Sequence, residues 1–121
     1  MKGYKLSFGE IIIHRNNLAE IIIGEGVIMC ELKVDELHDF LLTNLAAPFK
    51  LLVNKKCSYS YTFEAQKNIV CLKEIEAIAF AVYSPSALMS IETIMNVNKR
   101  DVWNTKMFRS QEAALLWLNH C

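Results

Sequence analysis

The sequence predicts a single α/β domain built on a mixed, mostly parallel sheet. Two apolar runs, Phe49–Asn54 and Ala77–Tyr83, are short and nearly unbroken, as strands buried on both faces are. The segments between and after them carry apolar residues at helical spacing. Ahead of them, two strand-like segments flank Asn16-Asn17, a pair that tolerates the positive φ of a tight turn, so the chain opens on a β-hairpin. With 121 residues, 53% of them hydrophobic, the chain suits one domain over 1–121 with an ample core.

The elements follow in order. Tyr4, Leu6 and Phe8 alternate with Lys5 and Ser7 in a first strand, which Gly9 bends or bulges and Glu10–Arg15 continues. Leu18–Ile23 is its hairpin partner, ended by Gly24-Glu25-Gly26. Val34, Leu37, Phe40, Leu41 and Leu45 form the stripe of a first helix, with Asp35 and Glu36 near its positive end and Pro48 closing it. After the Phe49–Asn54 strand, Thr62 caps a second helix reaching roughly to Glu74. Small residues in Ala77–Tyr83 would let a helix pack closely on that strand. Ser84-Pro85 opens a third helix, with Leu88, Ile91, Ile94 and Met95 as its stripe. Asn96–Asn104 reads as a loop and Thr105–Phe108 as a strand. Ser110 caps a last helix that turns Ala114, Leu115 and Leu118 inward. The order is β-β-α-β-α-β-α-β-α, giving four or five strands and about four helices.

Composition excludes several classes. Lys+Arg and Asp+Glu are both 13, so the excess positive charge of a general nucleic-acid binder is absent. No apolar run approaches the roughly 20 residues of a membrane span. The opening Met1–Lys5 segment leads into short alternating stretches rather than an apolar leader core, which points to a cytoplasmic chain. Cys30, Cys57, Cys71 and Cys121 form no Cys-x-x-Cys pair and read as reduced thiols, Cys71 packed on a helix. His14, His38 (on the polar face of the first helix) and His120 have no partners at metal-ligand spacing. No metal, cofactor or catalytic constellation is expected. A Gly-x-Ser-x-Gly elbow, a P-loop and a dinucleotide fingerprint are all missing.

The element order resembles the STAS fold of anti-sigma-factor antagonists, especially its SpoIIAA-like group. The resemblance spans the hairpin start, the helix before Pro48, the Phe49–Val53 strand, the loop at Lys55–Tyr61 and the final Trp117-Leu118 helix. In signalling members, a kinase phosphorylates a serine at the start of the helix after this strand, within an Asp-Ser-Ser-Gly-like motif. The corresponding Lys55-Lys56-Cys57-Ser58-Tyr59-Ser60-Tyr61-Thr62 offers hydroxyls without the acidic residue or the glycine. The resemblance implies a non-catalytic regulatory or protein-interaction module switched at this loop, with Ser58, Ser60 and Thr62 as candidate phosphorylation sites. A related reading, by analogy with SEC14-type carriers, is a lipid or small apolar ligand held between the sheet and helices 34–46 and 86–96.

The carboxyl edge of the parallel strands is where such sheets place ligands. It would gather Gly24–Gly26, Lys55, Lys56, Ser58, Tyr59, Ser84, Arg109 and Ser110, with helix N-termini adding N–H donors and positive dipole ends. This predicts a modest anion site for a phosphate group or an acidic partner segment. Phosphorylation beside Lys55 and Lys56 would add about −1.5 to −2 charges. Tyr59, Tyr61, Trp103 and Trp117 could rim an apolar interface. The edge of the opening hairpin and the zero net charge favour a homodimer.

Overall fold

Alternation of apolar and polar residues at the start of the chain produces two strands, Lys2–Leu6 (β1) and Gly9–Arg15 (β2), not the single bent strand the pattern implies. The chain reverses at Ser7-Phe8, and across the turn the inward positions shift from even (Leu6, Phe8) to odd (Ile11, Ile13). Gly9, just after the reversal, lets β3 approach closely. A Cβ there would lie 2.1 Å from the carbonyl oxygen of Ile22, closer than any side chain can sit. Ser7 then ties the turn to the first helix, its backbone N–H and hydroxyl both donating to the Glu36 carboxylate.

The computed structural model describes residues 2–68, 72–97 and 104–120, except the side chains of 67, 90 and 94–97. The remaining elements are Leu18–Ile23 (β3), Ile28–Met29 (β4), Glu31–Asn44 (α1), Phe49–Lys55 (β5), Ser60–Tyr61 (β6), Phe63–Asn68 (α2), Ile75–Val82 (β7), Pro85–Val97 (α3), Thr105–Phe108 (β8) and Gln111–Asn119 (α4). Among the described residues, α2 is shorter than expected. Leu72 to Glu74 are not helical, and the expected positions Ile69, Val70 and Cys71 lie outside the described residues. So do Cys121 and residues 98–103 of the expected loop, Trp103 included, whereas Asn96 and Val97 belong to α3.

The main sheet has six strands in the order β1-β2-β3-β5-β7-β8. The first two pairings are antiparallel and the last three parallel. Parallel strands added in one direction by right-handed crossovers put all their helices on one face. Accordingly, Val34, Leu37 and Leu41 of α1, Ala65 of α2 and Ile91 of α3 share a core with Ile11, Ile21, Phe49, Leu51 and Phe80 of the sheet. Each such buried Leu, Ile or Phe contributes about 1.5–3 kcal/mol. His38 lies in this buried stripe and not on the polar face, because 34, 37, 38 and 41 fall on one side of a helix.

The last helix covers the other face. Ala77, Ala79 and Ala81 of β7 have small side chains there, so Ala114 and Leu118 of α4 pack close to the strand, with Leu18 and Leu52 beside them. Lys50 of β5 points to the same side and donates from Nζ to the Leu118 carbonyl at 2.9 Å, satisfying an end of α4 that lacks helical partners. At the free edge, β1 exposes Lys2 and Lys5, charges that oppose further strand pairing. No helix among the described residues is long and apolar enough to cross a membrane.

Candidate functional site

The three parallel crossovers bring the ends of β3, β5, β7 and β8 to one edge, and the first two are clasped together. Ile28–Met29 pairs in parallel with Ser60–Tyr61 in a small second sheet. The Gly26 N–H donates to the Ser58 carbonyl at 2.7 Å, the Ser60 N–H to Val27 at 3.0 Å and the Thr62 N–H to Met29 at 2.9 Å. Gly26 holds φ +76°, a left-handed turn that suits glycine. The Glu25 carboxylate accepts the Ser58 N–H at 3.1 Å. The Lys55–Thr62 segment is therefore a fastened strap, not an open loop. The Tyr59 and Tyr61 pair at alternate positions was the strand-period signal for it.

Under the strap lies Lys55. Its position in β5 turns the side chain to the α1–α3 face, and only 5% of the residue is exposed. The Nζ sits 3.8 Å from the centroid of the Tyr59 ring and 5.6 Å from that of Tyr61. The two rings meet edge to face at 5.4 Å, and their hydroxyls lie 3.1 Å apart. Burial lowers the Lys55 ammonium from 10.5 to about 8. The same desolvation raises both phenols, Tyr61 to about 12, so they remain protonated at neutral pH.

Two clefts open at this edge. One, of about 420 Å³, runs between Lys55–Tyr59 and the start of α3, where Ser84, Ser86 and Ala87 line it. The other, of about 440 Å³, lies between Val82, Pro85, Leu88 and Arg109. Tyr83 and Ser84 border both. Behind Tyr83, on the α4 face, Glu20 is 1% exposed. One of its oxygens pairs with His14 Nε2 at 2.8 Å and accepts from Gln111 Nε2 at 2.7 Å; the other accepts from Asn54 Nδ2 at 2.8 Å. Among the described residues, the buried Asn54 Oδ1 has no hydrogen-bond partner. Partial burial, and then the Glu20 carboxylate, push the Tyr83 phenol upward.

The predicted site residues thus separate. Lys55 is inside, Lys56 lines the first cleft and Arg109 the second. Ser84, Ser110 and Thr62 cap α3, α4 and α2, accepting the N–H groups of Ala87 at 3.2 Å, Ala113 at 3.1 Å and Ala65 at 3.2 Å. At α3, Pro85 has no N–H, and the Leu88 N–H goes to the Ser84 carbonyl at 3.1 Å. Much of the first turn is satisfied internally. Ser58 and Ser60 are exposed, whereas Tyr59 and Tyr61 are half-buried against the core rather than a rim. Trp117 packs on Phe108, with ring centroids 5.7 Å apart. Cys30 and Cys57 are free thiols. Among the described residues, no group of three His, Cys, Asp or Glu side chains is placed to hold a metal. Glu20 and Asn54 escaped the sequence reading, although a polar residue within an otherwise apolar strand was the available sign.

Comparison with protein-family models, curated proteins and solved structures gave no match.

Proposed function

We propose that this chain is a non-catalytic cytoplasmic regulatory module, STAS-like in kind, which engages a protein partner through the carboxyl edge of its sheet. The observation that carries the reading is the strap. It exposes Ser58 and Ser60 at the surface yet fastens them to the Gly24–Val27 turn through backbone bonds. A phosphoryl group on Ser58 would bring a dianion beside Glu25, whose carboxylate holds the Ser58 N–H. Repulsion between the two would release that end of the strap, and exposed Lys56 would draw the phosphate toward the first cleft. Thr62 fits the role less well, because its hydroxyl already caps α2.

The test is incubation of the full chain with ATP and an extract of its native cells, followed by peptide mass spectrometry. Phosphate on Ser58 or Ser60 is the expected result. A chain that gains no phosphate between Lys55 and Thr62 would sink the switch. Glu25→Gln should then slow proteolysis of the phosphorylated strap, since it removes the opposing charge and retains an acceptor.

A further inference from the structure

We propose that Lys55 is a carbonyl-capturing amine, and that the first cleft takes a small oxo acid whose carbonyl carbon bonds to Lys55 Nζ. This goes beyond the partner-binding reading and does not depend on it.

The geometry assigns the parts. Lys55 lines the cleft from the inside, held by the β5 backbone on one side and the Tyr59 ring on the other. A nucleophilic lysine needs this kind of desolvated position at the wall of a cavity. The surface lysine Lys56 lines the same cleft, as do Ser84 and Ser86, whose hydroxyls lie 3.3 Å apart. That combination suits a carboxylate next to the reacting carbonyl, with the cation and hydroxyls holding the acid group.

The step balances without a redox partner. The neutral amine's lone pair adds to the carbonyl carbon, and the oxygen takes up a proton, giving a carbinolamine. Loss of that oxygen as water, with the remaining N–H proton released, leaves a C=N bond. One amine and one carbonyl yield one imine and one water, reversibly. Burial assists by raising the neutral fraction. With Lys55 near 8, about a tenth of it is unprotonated at pH 7, against well under a thousandth for an ordinary lysine.

The experiment treats the full chain with glyoxylate and cyanoborohydride at pH 7 and maps the lysine that gains a carboxymethyl group. Lys55 should be labelled at least about tenfold faster than Lys56 or the other lysines. Its rate should rise with a midpoint near pH 8, while surface lysines keep rising beyond pH 10. Propanal, which lacks the acid group, should label it more slowly. Lys55→Met and Lys55→Arg, each checked for fold by near-ultraviolet circular dichroism, should lose the fast phase. Labelling spread evenly over surface lysines, or a fast phase that survives in both variants, would overturn the proposal. Phosphorylation of Ser58 is unaffected by either result, so the two readings fail separately.

Discussion

Glu20 and Lys55 are both charged, both nearly inaccessible and sit on adjacent strands of one sheet, yet the protein treats them in opposite ways. Glu20 faces α4 and receives donors from β2, β5 and α4, so its two oxygens join three elements. Lys55 faces the α1–α3 layer, where aromatic rings press on it and a cleft reaches it. A buried charge whose partners belong to different elements acts as a joint. One whose surroundings raise its energy beside a cavity is available for chemistry. The sharpest way to break this contrast is Glu20→Ala. It would leave a buried donor on Asn54 and a part-buried one on Gln111 without their acceptor, and should cost about 3 kcal/mol. Chemical denaturation would read the loss. A change under about 1 kcal/mol would mean that the cluster relaxes and Glu20 is no joint.

The next effect concerns how α4 reaches that joint. Ser110 caps α4 one residue before Gln111, the side chain that donates to Glu20. Ser110→Ala should lower stability by about 1 kcal/mol. Its effect should shrink when Gln111→Ala is already present, because both act on the docking of one helix end. Strict additivity in that double-mutant cycle would show the cap and the joint to be independent.

The two residues also mark where the sequence was legible. The α/β class, the opening hairpin and the three hydroxyl caps followed from local rules: apolar runs, Asn-Asn, and Ser or Thr ahead of helical periodicity. The small residues of β7 announced a closely packed helix, which is α4. The sixth strand stayed hidden because a two-residue reversal leaves β1 and β2 almost continuous in sequence, and Gly9 beside it reads equally well as a bulge. The β4–β6 strap offered only the Tyr59/Tyr61 alternation, shorter than the four residues over which a strand period is read. The site was harder, since the side a strand residue faces depends on register. Lys55 looked like the first cation of a basic loop, but pairing with Val82 extends β5 through it and turns it inward. Glu20 acquires its role only when Asn54 and Gln111, 34 and 91 positions away, come beside it.

The smallest expected change in stability belongs to Lys55→Met, and its pH dependence makes it informative. Replacing a buried amine with an apolar side chain of similar length should alter stability at pH 7 by no more than about 1 kcal/mol, in the stabilising direction. Lys55 titrates near 8 when folded and near 10.5 when unfolded. Between those values the unfolded chain holds a proton that the folded chain has released, so raising the pH favours folding. The penalty from Lys55 is full below about pH 8 and gone above about 10.5. Tyr61 works the other way at higher pH, because its folded value near 12 exceeds its ordinary 10, and stability is lost as pH rises through that interval. Subtracting the Lys55→Met curve from that of the parent chain should cancel most of the tyrosine contribution. The difference should then climb between pH 8 and 10. A flat difference would mean that Lys55 keeps an ordinary lysine's proton affinity in the fold, and would remove the contrast with Glu20.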